Sequence, residues 1–94
     1  MIYISGPITH NANYVEQFDN AAASIGVEEC FNPADVAREH EEYTYEQYMQ
    51  YAFKSIDKSD KILMLSVWES SNGAKEELRY AKRLGIEVIY QGEF

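Results

Sequence analysis

Short apolar runs alternate with amphipathic stretches along this chain. Met1-Ile2-Tyr3-Ile4 is β-branched and aromatic and ends at Ser5-Gly6-Pro7, a turn signal. It predicts a first strand, central and buried. Val15, Phe18, Ala22 and Ile25 then recur at helical spacing, with Asn11 or Asn13 placed to cap the helix and Gly26 to end it. Val27–Phe31 reads as a second strand. It is less apolar than the first, which puts it at an edge, and Asn32-Pro33 stops it. Residues 34–44 are polar and acidic and read as an irregular segment with a single helical turn in it. Long loops of this kind are often lids or binding loops.

Thr44, with Gln47 three residues on, forms a capping-box pattern. The helix it opens carries Tyr48, Met49, Ala52, Phe53 and Ile56 on one side. Ile62–Val67 is the third strand. Residues 68–77 form a turn rich in small polar residues, and a helix runs from about Gly73 to Leu84, closed by Gly85. Ile86–Tyr90 is the fourth strand, and Gln91–Phe94 is a tail.

Strands alternating with helices imply an α/β fold, a parallel sheet with helices on both faces. Right-handed crossovers restrict its topology, and the expected order is 2-1-3-4, a small flavodoxin-like open sheet. In such sheets ligands bind beyond the carboxyl ends of the strands, where the order reverses. Here that point lies between strands one and three. The loop from Ser5 to Thr9 and the turn from Trp68 to Glu77 should therefore face each other across one crevice. Residues 1–94 form a single domain, with no repeat and no linker.

Composition narrows the ligand. A formal net charge of -8 repels phosphate backbones and excludes polymeric nucleic acid as a partner. A small phosphorylated ligand stays compatible, because backbone amides at a helix N-terminus hold anions without lysine. Eight tyrosines, against four phenylalanines and one tryptophan, suit pocket walls and interfaces. The lone Cys30 reads as a buried strand residue, and His10 and His40 have no partner at ligand spacing, so no metal or cofactor is implied. No leader pattern opens the sequence and no apolar run approaches a membrane span. The expectation is a soluble protein of the cytoplasm that does not engage membranes.

The turn carries the candidate chemistry. Glu77 is expected in the first turn of its helix, where the helix dipole favours an ionised carboxylate. An ionised carboxylate at a crevice can attack an anomeric carbon and form a covalent glycosyl intermediate. Glu76 is adjacent, about 100° away around the helix. Periodicity leans to Glu77 but leaves both open.

Ile2-Tyr3-Ile4-Ser5-Gly6-Pro7-Ile8-Thr9 resembles the opening strand and loop of the nucleoside 2-deoxyribosyltransferase-like superfamily. Phe31-Asn32-Pro33-Ala34 resembles the segment after its second strand. Gly73-Ala74-Lys75-Glu76-Glu77 resembles its nucleophile motif, Gly-Thr-x-x-Glu. Tyr48-Met49, Ser59-Asp60 and Trp68-Glu69-x-Ser71-x-Gly73-Ala74 resemble more closely a small branch frequent in phages and prophages. The resemblance implies a Rossmann-like sheet, a nucleoside or nucleotide ligand, and cleavage or transfer at the N-glycosidic bond. It makes Glu77 the nucleophile at C1′. Tyr3, Ser5, Gly6, Pro7 and Ile8 would line the sugar or phosphate side, Asn32 and Pro33 would border the crevice, and Trp68 would stack on a base. Ser71 and Asn72, in the turn with Gly73 and Ala74, would contact the sugar or its phosphate.

Two positions depart from the pattern. The superfamily's helix aspartate is Ala52 here, and the transferases' aspartate two residues before the motif glycine is Ser71. Glycoside cleavage usually uses a second carboxyl group, for which Asp57, Asp35 or a neighbouring subunit would have to substitute. Two functions follow: an enzyme acting on deoxynucleosides or their 5′-monophosphates, or a module that binds a nucleotide-derived signal, such as an ADP-ribose derivative of a host defence system, without cleaving it. Either is expected to be a homo-oligomer, because so short a chain buries little surface alone.

Overall fold

The structure, a computed structural model, describes residues 1–8 and 11–92. Four strands, β1 (Ile2–Ser5), β2 (Cys30–Phe31), β3 (Lys61–Met64) and β4 (Glu87–Tyr90), form one all-parallel sheet in the order β2-β1-β3-β4. Four helices flank it: α1 (Tyr14–Ile25), α2 (Pro33–Glu39), α3 (Tyr45–Asp57) and α4 (Asn72–Leu84). This is the expected α/β architecture and strand order. Among the described residues no helix is long and apolar enough to cross a membrane.

Strand periodicity divides the core in two. Tyr3, Ile62 and Met64 pack with Ala52 and Ile56 of α3 and Ala74, Leu78 and Ala81 of α4. The intervening residues Ile4, Leu63 and Leu65 pack on the other face with Phe18, Ala21 and Ala22 of α1 and Ala34 of α2. Ser5 is two residues from Tyr3, so the pleat turns both side chains toward α4. That alternation sets the chemistry of the site.

Most caps behave as the sequence predicts. Thr44 and Gln47 make both bonds of a capping box, and Gly85, at φ 78°, closes α4. Asn13 stands at the start of α1 without a side-chain cap, while Asn11 Oδ1 accepts from the Asn13 amide at 3.2 Å.

Four boundaries differ from expectation. Val27–Glu29 is a 3₁₀ turn, not strand; Val27 is 69% exposed, so its β-branch has no sheet to pack on. Residues 33–39 form the seven-residue helix α2, where a single helical turn within an irregular segment is expected. Asn32 Oδ1 accepts from the Ala34 amide at 3.0 Å and Pro33 takes the first helical position, so the pair that ends β2 also starts a helix. β3 stops at Met64 instead of Val67, because Val67 adopts a left-handed conformation (φ 60°) that turns the chain. β4 begins at Glu87 rather than Ile86.

Gly6 packs β1 tightly at its exit. A Cβ there would lie 3.0 Å from both Leu65 Cβ and Phe18 Cε1. Gly6→Ala is therefore expected to lower unfolding free energy by about 1–3 kcal/mol through overpacking, as read by urea denaturation.

Candidate functional site

The loop after β1 and the turn after β3 meet, as the switch-point argument requires. Gly6 and Ile8 line one side of a cleft of about 900 Å³, and the segment from Ser70 to Glu77 lines the other. Thr9, the end of the expected loop, lies outside the described residues, as does His10. The segment between β2 and α3 closes a third side with His40, Glu41 and Tyr43.

Glu77 forms the floor. It shares the inner stripe of α4 with Ala74, Leu78 and Ala81, at the spacing i, i+3, i+4, i+7 of an apolar face, and is only 4% exposed. Glu76, one residue earlier, points outward to solvent, where its Oε2 accepts a long bond from the Tyr45 hydroxyl at 3.4 Å. Burial thus separates the two glutamates that periodicity left open.

Two hydroxyls from β1 satisfy the buried carboxylate. Tyr3 donates to Glu77 Oε2 at 2.5 Å and Ser5 donates to Oε1 at 2.6 Å. Both come from the face of the strand that the pleat turns toward α4. Tyr3 and Ser5 therefore hold the carboxylate and are not primarily cleft walls.

The expected protonation of Glu77 is corrected. Ser71 is the N-cap of α4, its Oγ accepting from the Ala74 amide at 3.1 Å, and α4 starts at Asn72. Glu77 is then in the second turn, beyond the reach of the helix dipole, which fades within the first. Burial dominates and pushes the carboxyl from 4.5 to about 7, against the lowering effect of the Ser5 and Tyr3 hydrogen bonds and with a further push from Glu76.

The remaining expected residues divide. Ser71, Asn72, Gly73, Ala74 and Pro33 line the cleft. Pro7 is buried beside it, its carbonyl accepting from Asn11 Nδ2 at 2.9 Å. Asn32 is occupied elsewhere: besides capping α2, its Nδ2 donates to Asp19 Oδ1 at 2.9 Å. It borders a smaller cavity of about 140 Å³, not the main cleft. Trp68 is in a 3₁₀ turn and packs on Tyr90, ring centroids 6.0 Å apart, in a separate surface hollow. A base in the main cleft has no Trp68 wall to stack on.

Ala52 is buried against Tyr3 on the smaller cavity. Neither suggested substitute acid joins Glu77. Asp57 accepts from the Tyr80 hydroxyl at 2.5 Å, and Asp35 pairs with Arg38. Sequence reasoning missed the aromatic wall of the cleft: Tyr14, Tyr43, Tyr45, Tyr48 and His40. His40 and Tyr43 stack with centroids 4.4 Å apart. The available signal was the tyrosine content of residues 43–48, read as helix face and loop.

The raised Glu77 pKa gives folding a pH dependence of definite sign. The folded state holds this proton more tightly than the unfolded chain. The contribution of Glu77 to stability is greatest below about pH 4.5 and falls as pH rises through about 7, a loss of about 3 kcal/mol. Glu77→Gln removes that loss. The stability of the Gln variant relative to the natural chain should rise by about this amount between pH 4 and pH 8, measured by chemical denaturation.

Residues 1–90 match the profile of a domain of unknown function, DUF4406. No curated protein and no solved structure matches the chain. With nearly its whole length matched, the chain belongs to the DUF4406 family.

Proposed function

We propose that this chain handles nucleosides or nucleotides and cleaves or transfers at the N-glycosidic bond, with Glu77 as nucleophile. One observation carries the reading: a buried carboxylate, oriented through both oxygens by Tyr3 and Ser5, forms the floor of a cleft at the switch point of a parallel sheet. Each oxygen of a carboxylate has two acceptor sites. One hydroxyl on each therefore fixes the group and leaves a lone pair for C1′. The Ser71-capped start of α4 offers amides to a sugar hydroxyl or phosphate. The tyrosine-lined wall suits a planar base.

In the first step a Glu77 oxygen bonds C1′ as the C1′–N bond breaks and its electron pair leaves with the base. In the second, water or another base displaces Glu77. Attack needs the ionised carboxylate. Because burial holds Glu77 near about 7, activity should rise with pH through that value.

A second reading is favoured by Ala52: with no carboxyl there, and with Asp35 and Asp57 engaged elsewhere, the cleft would bind a nucleotide-derived signal without cleaving it. Both readings include self-association as a small oligomer, supported by the exposed Tyr45 and Tyr51 on α3.

The test is incubation of the protein, in excess, with deoxynucleosides and their 5′-monophosphates, with free base followed by chromatography. Base release is expected, increasing with pH through about 7, and Glu77→Ala should reduce it by at least about 10³-fold. A ligand that binds and is recovered intact would favour the second reading. No release and no binding would exclude both.

A further inference from the structure

Tyr48 lines the same cleft as Glu77 and carries a hydroxyl that the fold leaves unused. Tyr3 and Ser5 donate to the carboxylate, whereas the Tyr48 hydroxyl is buried with no hydrogen-bond partner among the described residues. Leaving a hydroxyl buried and unpaired costs about 1–3 kcal/mol. Phenylalanine would fill the same space without that cost, so the hydroxyl contributes nothing to the fold as it stands.

Its position suggests what it serves. Tyr48 is half-buried on α3, one turn before Ala52, and lines both the main cleft and the smaller cavity. The smaller cavity has a mixed lining, Tyr3, Phe31 and Ala52 beside Asn32, Asp35 and Glu39, whereas the wall of the main cleft around Tyr48 is aromatic. Tyr48 thus stands in the same cleft as the carboxylate that would attack, on the tyrosine-lined wall that suits a planar base.

We propose that Tyr48 is the hydrogen-bond donor to the departing base, a role that a second carboxylic acid would otherwise fill. This rests on the glycosidic reading above. As the Glu77 oxygen bonds C1′ and the C1′–N pair leaves with the base, an acceptor atom of the base ring receives the Tyr48 O–H bond. The base then takes its proton from water. Burial, and after it the charge of Glu77, holds the proton on Tyr48, so the phenol donates a hydrogen bond and does not give up its proton.

The discriminating experiment varies the leaving group. The natural protein, Tyr48→Phe and Glu77→Ala are each given a deoxynucleoside and 4-nitrophenyl 2-deoxyriboside, whose nitrophenolate departs without assistance. Tyr48→Phe should release base about 10²-fold more slowly, keep nitrophenol release within a few-fold, and melt at the same temperature or higher. Glu77→Ala should lose both reactions. Equal loss of both reactions in Tyr48→Phe, or loss of neither, would overturn the donor role while leaving the glycosidic reading intact. A natural protein that cleaves neither substrate would overturn the glycosidic reading itself, and the donor role with it.

Discussion

The arrangement depends on one buried carboxylate and the two hydroxyls that satisfy it. An ionisable group with 4% exposure is tolerable only if its oxygens are paired or its charge is suppressed, and Glu77 does both. Two donors orient it, and burial raises its pKa until neutral and ionised forms coexist near neutral pH. The structure invests folding energy at this position, which an apolar residue in the stripe of α4 would not require.

Everything that places those hydroxyls is generic to the fold. The parallel register of β1 on β3 sets Ser5 opposite Met64, and the pleat turns Tyr3 and Ser5 toward α4. The Ser71 cap fixes where α4 begins and hence which residues face inward. Gly6 then lets the chain leave β1 against Phe18 and Leu65 without obstruction. Strand, cap and close packing together define the geometry of the carboxylate. The cleft above it is walled by α3 and the segment from α2, whose aromatic side chains come from residues 40–48.

Much of this was legible in the sequence. The alternation of elements gave the sheet order, and both glycine caps and the Thr44 capping box were readable from residue type alone. The convergence of two distant turns followed from topology. What escaped was where local and tertiary preferences diverge. Val27 and Val67 look like strand residues but face solvent, one in a 3₁₀ turn and the other in a left-handed turn. Asn32-Pro33 stops a strand and starts a helix, and only the second role forms α2. The protonation of Glu77 differs from expectation because Glu77 lies in the second turn of α4, past the reach of the dipole, and because its burial is set by the facing strand. Trp68 was expected over a base, yet Tyr90, from a strand 22 residues later, holds it elsewhere.

The central claim is that Glu77 forms a covalent bond to a sugar carbon. It is tested most directly by incubating the protein with 2′-deoxy-2′-fluoro-arabinonucleosides and examining the peptides by mass spectrometry. Fluorine at C2′ destabilises the positively charged transition states, so a glycosyl-enzyme whose breakdown is slowed accumulates. The account predicts a mass increase of one fluorinated sugar, confined to the peptide containing Glu77 and absent from Glu77→Gln. An adduct on another residue, or turnover of the natural nucleoside with no adduct at Glu77, would contradict it.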